Sequence, residues 1–191
     1  MDSLGDICRT ASKDPFWSLV LFKLVRALRP RNCVEMGTAV GISAAYQAVA
    51  LRLNGEGRLT TLDGAEALAP VARGVFAQLG VDNVELVVGK FQVTLSLVLA
   101  ARRPVDFIFV DGHHDESATL NYFEQILPFL SQRAVMVFDD ITWSEGMRRA
   151  WSRIAADLRL SLVLDLGPVG LCVVDPGSRG IRAYRVPLES T

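Results

Sequence analysis

Near-continuous apolar runs, separated by segments with helical periodicity, are the feature that most restricts the fold of this chain. The runs lie at 33–36, 58–62, 84–88, 105–110 and 134–138, and helical patterns follow them at 42–53, 70–79, 91–101, 116–130 and 144–158. Parallel strands have this composition because helical crossovers bury both faces of their sheet. The alternation therefore predicts an α/β fold built on a parallel sheet.

The end of the chain departs from this alternation. Apolar runs at 160–166 and 171–174 are separated by only four residues, Gly167 to Gly170, and these are too few for a crossover helix. The two runs therefore predict an antiparallel hairpin. We predict one domain over 1–191, with an N-terminal helical segment (1–31), a core (32–174) and a tail (175–191). The helix of the first segment is expected to begin at Asp14-Pro15, a cap followed by proline.

Composition limits the classes of partner. With 20 basic and 21 acidic residues the formal net charge is −1, which gives no field to attract nucleic acid or an anionic membrane. The apolar segment 16–28 is too short to span a bilayer and carries two basic residues. The three cysteines lie far apart and form no C-x-x-C pair, which favours a reducing, cytoplasmic location.

A glycine-bracketed turn follows the first apolar run and opens a helix. Gly37 and Gly41 remove side chains where a ligand would approach the backbone, and the helix N-terminus behind them offers N–H donors. Ser43 adds a hydroxyl, and Glu35 places a carboxylate near the strand end that would hold a cation or hydroxyl groups. The turn therefore suits a carboxylate or a nucleotide.

The same turn argues against a dinucleotide. Ala39 and Ile42 stand where the second and third glycines of G-x-G-x-x-G would fall after Gly37. An aspartate at the end of the second run, Asp63, is placed where a carboxylate accepts both hydroxyls of a ribose.

Acidic residues also close the later runs, at Asp111 and at Asp139-Asp140. A single aspartate after a strand is usually a helix cap or a turn former. Open parallel sheets, however, bind ligands at the carboxyl ends of their strands, and acids at several such ends are harder to explain by caps alone. We therefore expect the chemistry of this protein at that edge.

Three motifs resemble one enzyme family. The stretch E-M-G-T-A-V-G-I-S, from Glu35 to Ser43, resembles motif I of class I S-adenosylmethionine-dependent methyltransferases in the form found in catechol and caffeoyl-CoA O-methyltransferases. The segments F-V-D-G-H-H-D-E and F-D-D-I-T-W strengthen the resemblance, which covers residues 32–174. It implies a Rossmann-like fold with a mostly parallel seven-stranded sheet, a C-terminal antiparallel hairpin and helices on both faces.

The resemblance also implies roles for individual residues. Contacts with S-adenosylmethionine are implied for Glu35, Gly37, Thr38, Gly41, Ser43, Asp63, Gly89, Lys90, Phe91 and Asp111. A divalent cation is implied at Asp111, Asp139 and Asp140, and hard oxygen ligands favour Mg²⁺. The implied base is His114, with His113 as its neighbour and alternative. Lys90 departs from the acid or amide usual in the family, and Phe91 suits either an adenine cover or a helix core face.

These observations predict an O-methyltransferase that acts on a small hydroxylated acceptor. Two alternatives stay open: a metal-free methyltransferase in which Asp139-Asp140 only caps the next helix and a histidine acts alone, and a non-catalytic partner that binds S-adenosylmethionine. A nucleic-acid methyltransferase is disfavoured, because Asp111-Gly112-His113-His114 stands where a D/N-P-P-Y/F motif would lie. We also predict a homodimer, through the segment 16–28 or the final hairpin.

Overall fold

The computed structural model describes residues 14–175, 177 and 180–188, so most of the leader before Pro15, Cys8 included, and part of the tail lie outside the described residues. Six helices and eight strands occur there. The helices are α1 Pro15–Leu28, α2 Ile42–Asn54, α3 Ala69–Gln78, α4 Phe91–Arg102, α5 Glu116–Ile126 and α6 Glu145–Ala155. The strands are β1 Asn32–Met36, β2 Arg58–Asp63, β3 Val84–Val88, β4 Val105–Val110, β5 Leu130–Phe138, β6 Leu160–Asp165, β7 Gly170–Val174 and β8 Arg182–Arg185.

The chain divides into two compact units, residues 1–98 and 99–191, and the division falls within α4. In the first unit the strands are ordered β3-β2-β1 and all are parallel. Their carboxyl ends therefore lie at one edge, which carries the turn after β1 and Asp63 at the end of β2. The prediction of parallel strands is confirmed.

In the second unit the order is β4-β5-β7-β6-β8. Strands β4 and β5 are parallel, whereas β7 runs antiparallel to both β5 and β6, as the short Gly167–Gly170 connection predicts. Strand β8 pairs in parallel with β6 and extends the sheet on that side. The Rossmann-like mixed α/β fold is confirmed, with one strand more than the seven expected.

The largest differences from the predicted boundaries lie at the end of α5 and the start of β5, and α6 ends three residues early, at Ala155. The helix predicted over 116–130 ends at Ile126, because Pro128 follows and the chain tightens into a 3₁₀ turn over Leu127–Phe129. Strand β5 then begins at Leu130, four residues before the predicted start, and pairs with β4 through an irregular register.

The first helix begins as predicted. The carboxylate of Asp14 accepts a hydrogen bond from the N–H of Phe16 at 2.7 Å, and Pro15 occupies the first turn. Its buried face contains Trp17, Leu21 and Val25. Among the described residues, no helix combines the length and the apolar character that crossing a membrane requires.

Candidate active site

The glycine turn, Gly37 to Gly41, requires its glycines for both conformation and space. Gly37 and Gly41 have φ values of 100° and 89°, in the left-handed region that favours glycine. A Cβ atom at Gly41 would lie 3.0 Å from the ring of Phe76 and 3.1 Å from the side chain of Ala72, so α3 packs directly against the turn. The turn therefore has little freedom to accept another residue at Gly41.

Backbone hydrogen bonds hold this turn to β2. The N–H groups of Gly37 and Thr38 both donate to the carbonyl of Leu62, at 2.9 and 3.3 Å. The N–H of Ala39 donates to Asp63 Oδ2 at 2.6 Å. These three donors are engaged inside the protein, so a ligand at the turn would meet other groups of the turn and of the first turn of α2.

Asp63 is half-buried at the end of β2, where the sequence placed it. Its Oδ2 accepts the Ala39 N–H and its Oδ1 accepts the N–H of Ala65 at 2.7 Å. A carboxylate oxygen has two lone pairs, so both oxygens retain the capacity to accept a ribose hydroxyl. Asp63 thus links the turn to β2 and still presents an acceptor.

Glu35 is fully buried beneath the turn. Its Oε1 accepts a hydrogen bond from Gln47 Nε2 at 2.8 Å, and its Oε2 accepts one from the hydroxyl of Thr61 at 2.6 Å. The Thr61 oxygen also lies 2.6 Å from Thr38 Oγ1. Because the single Thr61 proton is donated to Glu35, the Thr38 hydroxyl is the donor in that second bond. Glu35 therefore positions the turn from below, and its direct contact with a cofactor stays a prediction.

Of the remaining residues predicted for the cofactor, Thr38, Ser43, Gly89, Lys90 and Phe91 lie in the same unit, and Asp111 lies in the second unit. Thr38 and Ser43 are buried at 2% and 5% exposure. Lys90 is exposed, and its carbonyl accepts the N–H groups of Val93 and Thr94 at the start of α4. Phe91 is buried in the core, which agrees with a place on the core face of its helix, one of the two roles considered for it.

In the second unit, five residues follow β4 and β5 and form what we call the acidic-histidine cluster: Asp111, His113, His114, Asp139 and Asp140. The ring of His114 stands between two of its carboxylates. Nε2 is 3.1 Å from Asp111 Oδ1, and Nδ1 is 3.5 Å from Asp140 Oδ2. The hydrogen bond to Asp111 raises the pKa of His114, and the charges of Asp111, Asp140 and Asp139 act in the same direction while burial opposes them.

His113 has a different environment. It is exposed, and its Nδ1 is hydrogen-bonded to the hydroxyl of Tyr122, a buried residue of α5. Burial, and then the charge of Asp115, raise the pKa of Tyr122, so its phenol stays neutral. The structure therefore places His114, and not His113, against the carboxylates that end the strands.

Helix capping, one of the simpler roles considered for the aspartates of this cluster, is performed by other residues. Helix α6 is capped by Ser144, whose hydroxyl accepts the Met147 N–H at 3.1 Å. Asp115 caps α5 by accepting the N–H groups of Ser117 and Ala118, both at 3.0 Å. Asp139-Asp140 therefore does not cap the following helix. The carbonyl of Asp140 accepts the N–H of Trp143 at 3.0 Å, so Asp140 does form a turn, which was the other simple role considered for it.

The predicted metal triad is assembled only in part. Asp111 and Asp140 converge on one point, now filled by the His114 ring, and their oxygens suit a hard cation. Asp139 is 4% exposed, and its N–H donates to the Val110 carbonyl at 2.9 Å. In the part of the chain that the structure describes, no three histidine, cysteine or acidic residues gather as a metal-binding group.

Four of the six described non-glycine residues with positive φ lie in the glycine turn or in the acidic-histidine cluster. They are Ala39, His113, His114 and Asp140, with φ values of 45°, 63°, 36° and 53°, whereas Arg29 and Arg133 lie elsewhere. Such conformations are costly for residues with a Cβ and cluster at functional sites.

Comparison with known proteins relates these features to a family. A model described as a methyltransferase domain matches residues 34–141, more than half of the chain. The chain belongs to this methyltransferase family.

Individual relatives are more distant. The chain is 26% identical over 124 residues to a caffeoyl-CoA O-methyltransferase candidate of Arabidopsis thaliana, with 64% of this chain and 52% of that protein aligned. It is 27% identical over 128 residues to tapetum-specific methyltransferase 1 of the same plant, with 66% and 53% aligned. The chain spans about half the length of these curated relatives.

A solved structure aligns more completely. An O-methyltransferase from Bacillus cereus, in complex with SAH, is 27% identical, has a TM-score of 0.72, and is aligned over 87% of this chain and 84% of its own. The segment matched by the methyltransferase family contains both the glycine turn and the acidic-histidine cluster.

The sequence did not predict three side chains that form hydrogen bonds with candidate residues. Gln47 and Thr61 are hydrogen-bonded to Glu35, and Tyr122 is hydrogen-bonded to His113. Gln47 carried a signal in the sequence, since it is a polar residue whose helical neighbours Ala44, Ala50 and Leu51 are all apolar. Thr61 lies within the second apolar run and Tyr122 within a helix, where the sequence distinguishes neither from an ordinary structural residue.

Proposed function

We propose that this protein transfers the methyl group of S-adenosylmethionine to a hydroxyl group of a small molecule. Family membership supports methyl transfer, and the Bacillus cereus relative bound to SAH supports the cofactor. The observation that carries the proposal is the ring of His114 between the carboxylates of Asp111 and Asp140, because it supplies a base where an acceptor hydroxyl needs one.

The first unit would hold the cofactor. The glycine turn would face the methionine portion, and the carboxylate of Asp63 would accept the ribose hydroxyls through the lone pairs that Ala39 and Ala65 leave available. Residues Gly89 to Phe91 would border the adenine.

The second unit would prepare the acceptor. An alcohol or phenol is a poor nucleophile while protonated, and His114 would accept its proton as the oxygen attacks the methyl carbon and the C–S bond breaks. The imidazolium formed would be stabilised by Asp111 and Asp140, the same carboxylates that raise its pKa. SAH and the methyl ether are the products, and the proton leaves from His114 to solvent.

A divalent cation, Mg²⁺ foremost, held by Asp111, Asp139 and Asp140 would further lower the pKa of the acceptor hydroxyl. The runner-up is metal-free transfer, which the position of His114 favours because its ring fills the point on which Asp111 and Asp140 converge.

Calorimetry with S-adenosylmethionine and SAH, followed by turnover with labelled cofactor over a panel of hydroxylated aromatics and sugars, tests this function. Binding of both ligands together with turnover supports it. Binding without turnover of any acceptor would favour the non-catalytic partner, and binding of NAD in place of both would overturn the assignment.

Two further measurements separate the candidates. His114→Ala should lower turnover by about 10²- to 10⁴-fold at neutral pH, whereas His113→Ala should have the smaller effect. Full turnover after treatment with chelator would exclude the cation and leave the metal-free route.

A further inference from the structure

A cavity of about 600 Å³ lies in the second unit, beside α6 and strands β6 and β8. Volumes of this size hold drug-sized ligands. Its described lining contains no member of the acidic-histidine cluster. The side chains that give it chemical character are Arg148, Trp151, Ser152, Asp165, Tyr184 and Arg185.

The charged groups of the lining favour an anion. The lining contains two guanidinium groups, of Arg148 and Arg185, and one carboxylate, that of Asp165. One oxygen of this carboxylate already accepts the N–H of Gly167 at 3.0 Å. Arg185 Nε lies 3.9 Å from Asp165 Oδ2, which is the separation of a loose ion pair.

Arg148 is also available to a ligand. Its Nη1 lies 2.8 Å from Glu145 Oε1, but the side chains of Arg148 and Glu145 are 53% and 79% exposed. Ion pairs with this exposure contribute little, so an incoming anion can compete for the guanidinium. Guanidinium groups bind carboxylates through paired, charge-assisted hydrogen bonds.

Aromatic side chains supply the remainder of the site. Trp151 is 7% exposed. A Cβ atom at Gly170 would lie only 2.6 Å from its ring, so the absence of a side chain at Gly170 allows the indole to pack closely against the sheet. The ring of Tyr184 is 54% exposed on β8. A planar ligand would therefore meet the packed indole of Trp151 and the exposed ring of Tyr184.

We propose that this cavity is a binding site for a small aromatic carboxylate, distinct from the residues assigned to methyl transfer. Arg148 and Arg185 bind its carboxylate. Its ring lies against Trp151 and is covered by Tyr184. Since Ile141 and Thr142 also line the cavity and follow Asp140 directly, the ligand contacts the segment that carries part of the acidic-histidine cluster.

The test is calorimetry of the full chain with 2-naphthoate, compared with its neutral isostere 2-naphthamide and with inorganic phosphate. We expect 2-naphthoate to bind more tightly than either. Arg148→Gln and Arg185→Gln should each weaken 2-naphthoate binding by about tenfold, as expected for loss of a charge-assisted hydrogen bond. Glu145→Gln should strengthen it, because it removes the group that competes for Arg148.

Arg182→Gln is the matched control, since Arg182 is an exposed arginine on the same strand that does not line the cavity. It should leave binding unchanged. Equal binding of the naphthoate and the naphthamide, binding of phosphate as tight as that of naphthoate, or an equal loss in Arg182→Gln would each overturn the proposal. So would the absence of naphthoate binding to the folded protein. None of these outcomes depends on methyl transfer, so the two proposals fail separately.

Discussion

Replacing Thr61 by valine tests the hydrogen-bonded support beneath the glycine turn. Valine has nearly the same shape as threonine, so the substitution leaves no cavity and removes only the hydroxyl. That hydroxyl donates to Glu35 Oε2 at 2.6 Å and accepts from Thr38 at 2.6 Å, and Thr61 is completely buried. Thr61→Val therefore breaks two buried hydrogen bonds in one step.

The expected cost follows from the two bonds. A hydrogen bond to a charged group contributes about 1.5 to 3 kcal/mol and a neutral one about 0.5 to 1.5 kcal/mol. Thr61→Val should therefore lower the free energy of unfolding by about 2 to 4.5 kcal/mol, which in a protein of this size corresponds to a fall in Tm of about 4 to 18 °C. Urea titration followed by circular dichroism measures the first quantity, and a thermal scan measures the second.

Ser18→Ala is the control for removal of a buried hydroxyl. The Ser18 side chain is fully buried, and its oxygen meets no hydrogen-bond partner among the described residues. Its removal should leave stability unchanged or raise it. A loss below about 1 kcal/mol in Thr61→Val, or an equal loss in both variants, would show that the bonds to Glu35 and Thr38 do not support the turn.

Three other expectations concern separate parts of the molecule. Asp111→Asn removes the main cause of the raised pKa of His114, so NMR titration should show that pKa fall towards its ordinary value. Asp157→Asn should cost about 1 kcal/mol at pH 7, because hydrogen bonds from Arg159 lower the pKa of Asp157. That lowered pKa makes the contribution complete above the unfolded value of 3.8 and absent once the folded carboxylate is protonated, so urea midpoints of the two proteins should converge in acid. Light scattering should give twice the chain mass of 20.9 kDa if the protein is the predicted homodimer, and a monomer mass at micromolar concentration would contradict it.

The sequence predicted the strands whose side chains form apolar runs. It missed the strand that is held mainly by backbone hydrogen bonds. Strands Val84–Val88 and Val105–Val110 have the predicted bounds, because apolar residues dominate both. Five of the six residues of the second strand are buried, and the first strand is only partly buried. Strand β8 is Arg-Ala-Tyr-Arg, exposed along its whole length, and it is held by backbone pairing with β6. Backbone pairing leaves no pattern in the side chains.

The same distinction applies to the candidate site. Acids at strand ends are visible in the sequence, and the structure does place Asp111 and Asp140 around one ring. The bond between Glu35 and Thr61 exists because β1 and β2 pair in the register that sets these two residues side by side. Register depends on packing of the whole sheet, which a single sequence does not specify.

The four strained residues have a consequence for directed evolution. A non-glycine residue in the left-handed region costs roughly 1 to 2 kcal/mol, which glycine avoids. Selection for heat resistance alone would therefore enrich glycine at Ala39 and Asp140, both of which have positive φ. Such winners would gain thermal tolerance while relaxing the backbone that orients the turn and the carboxylate. A library meant to preserve activity should keep these two codons fixed.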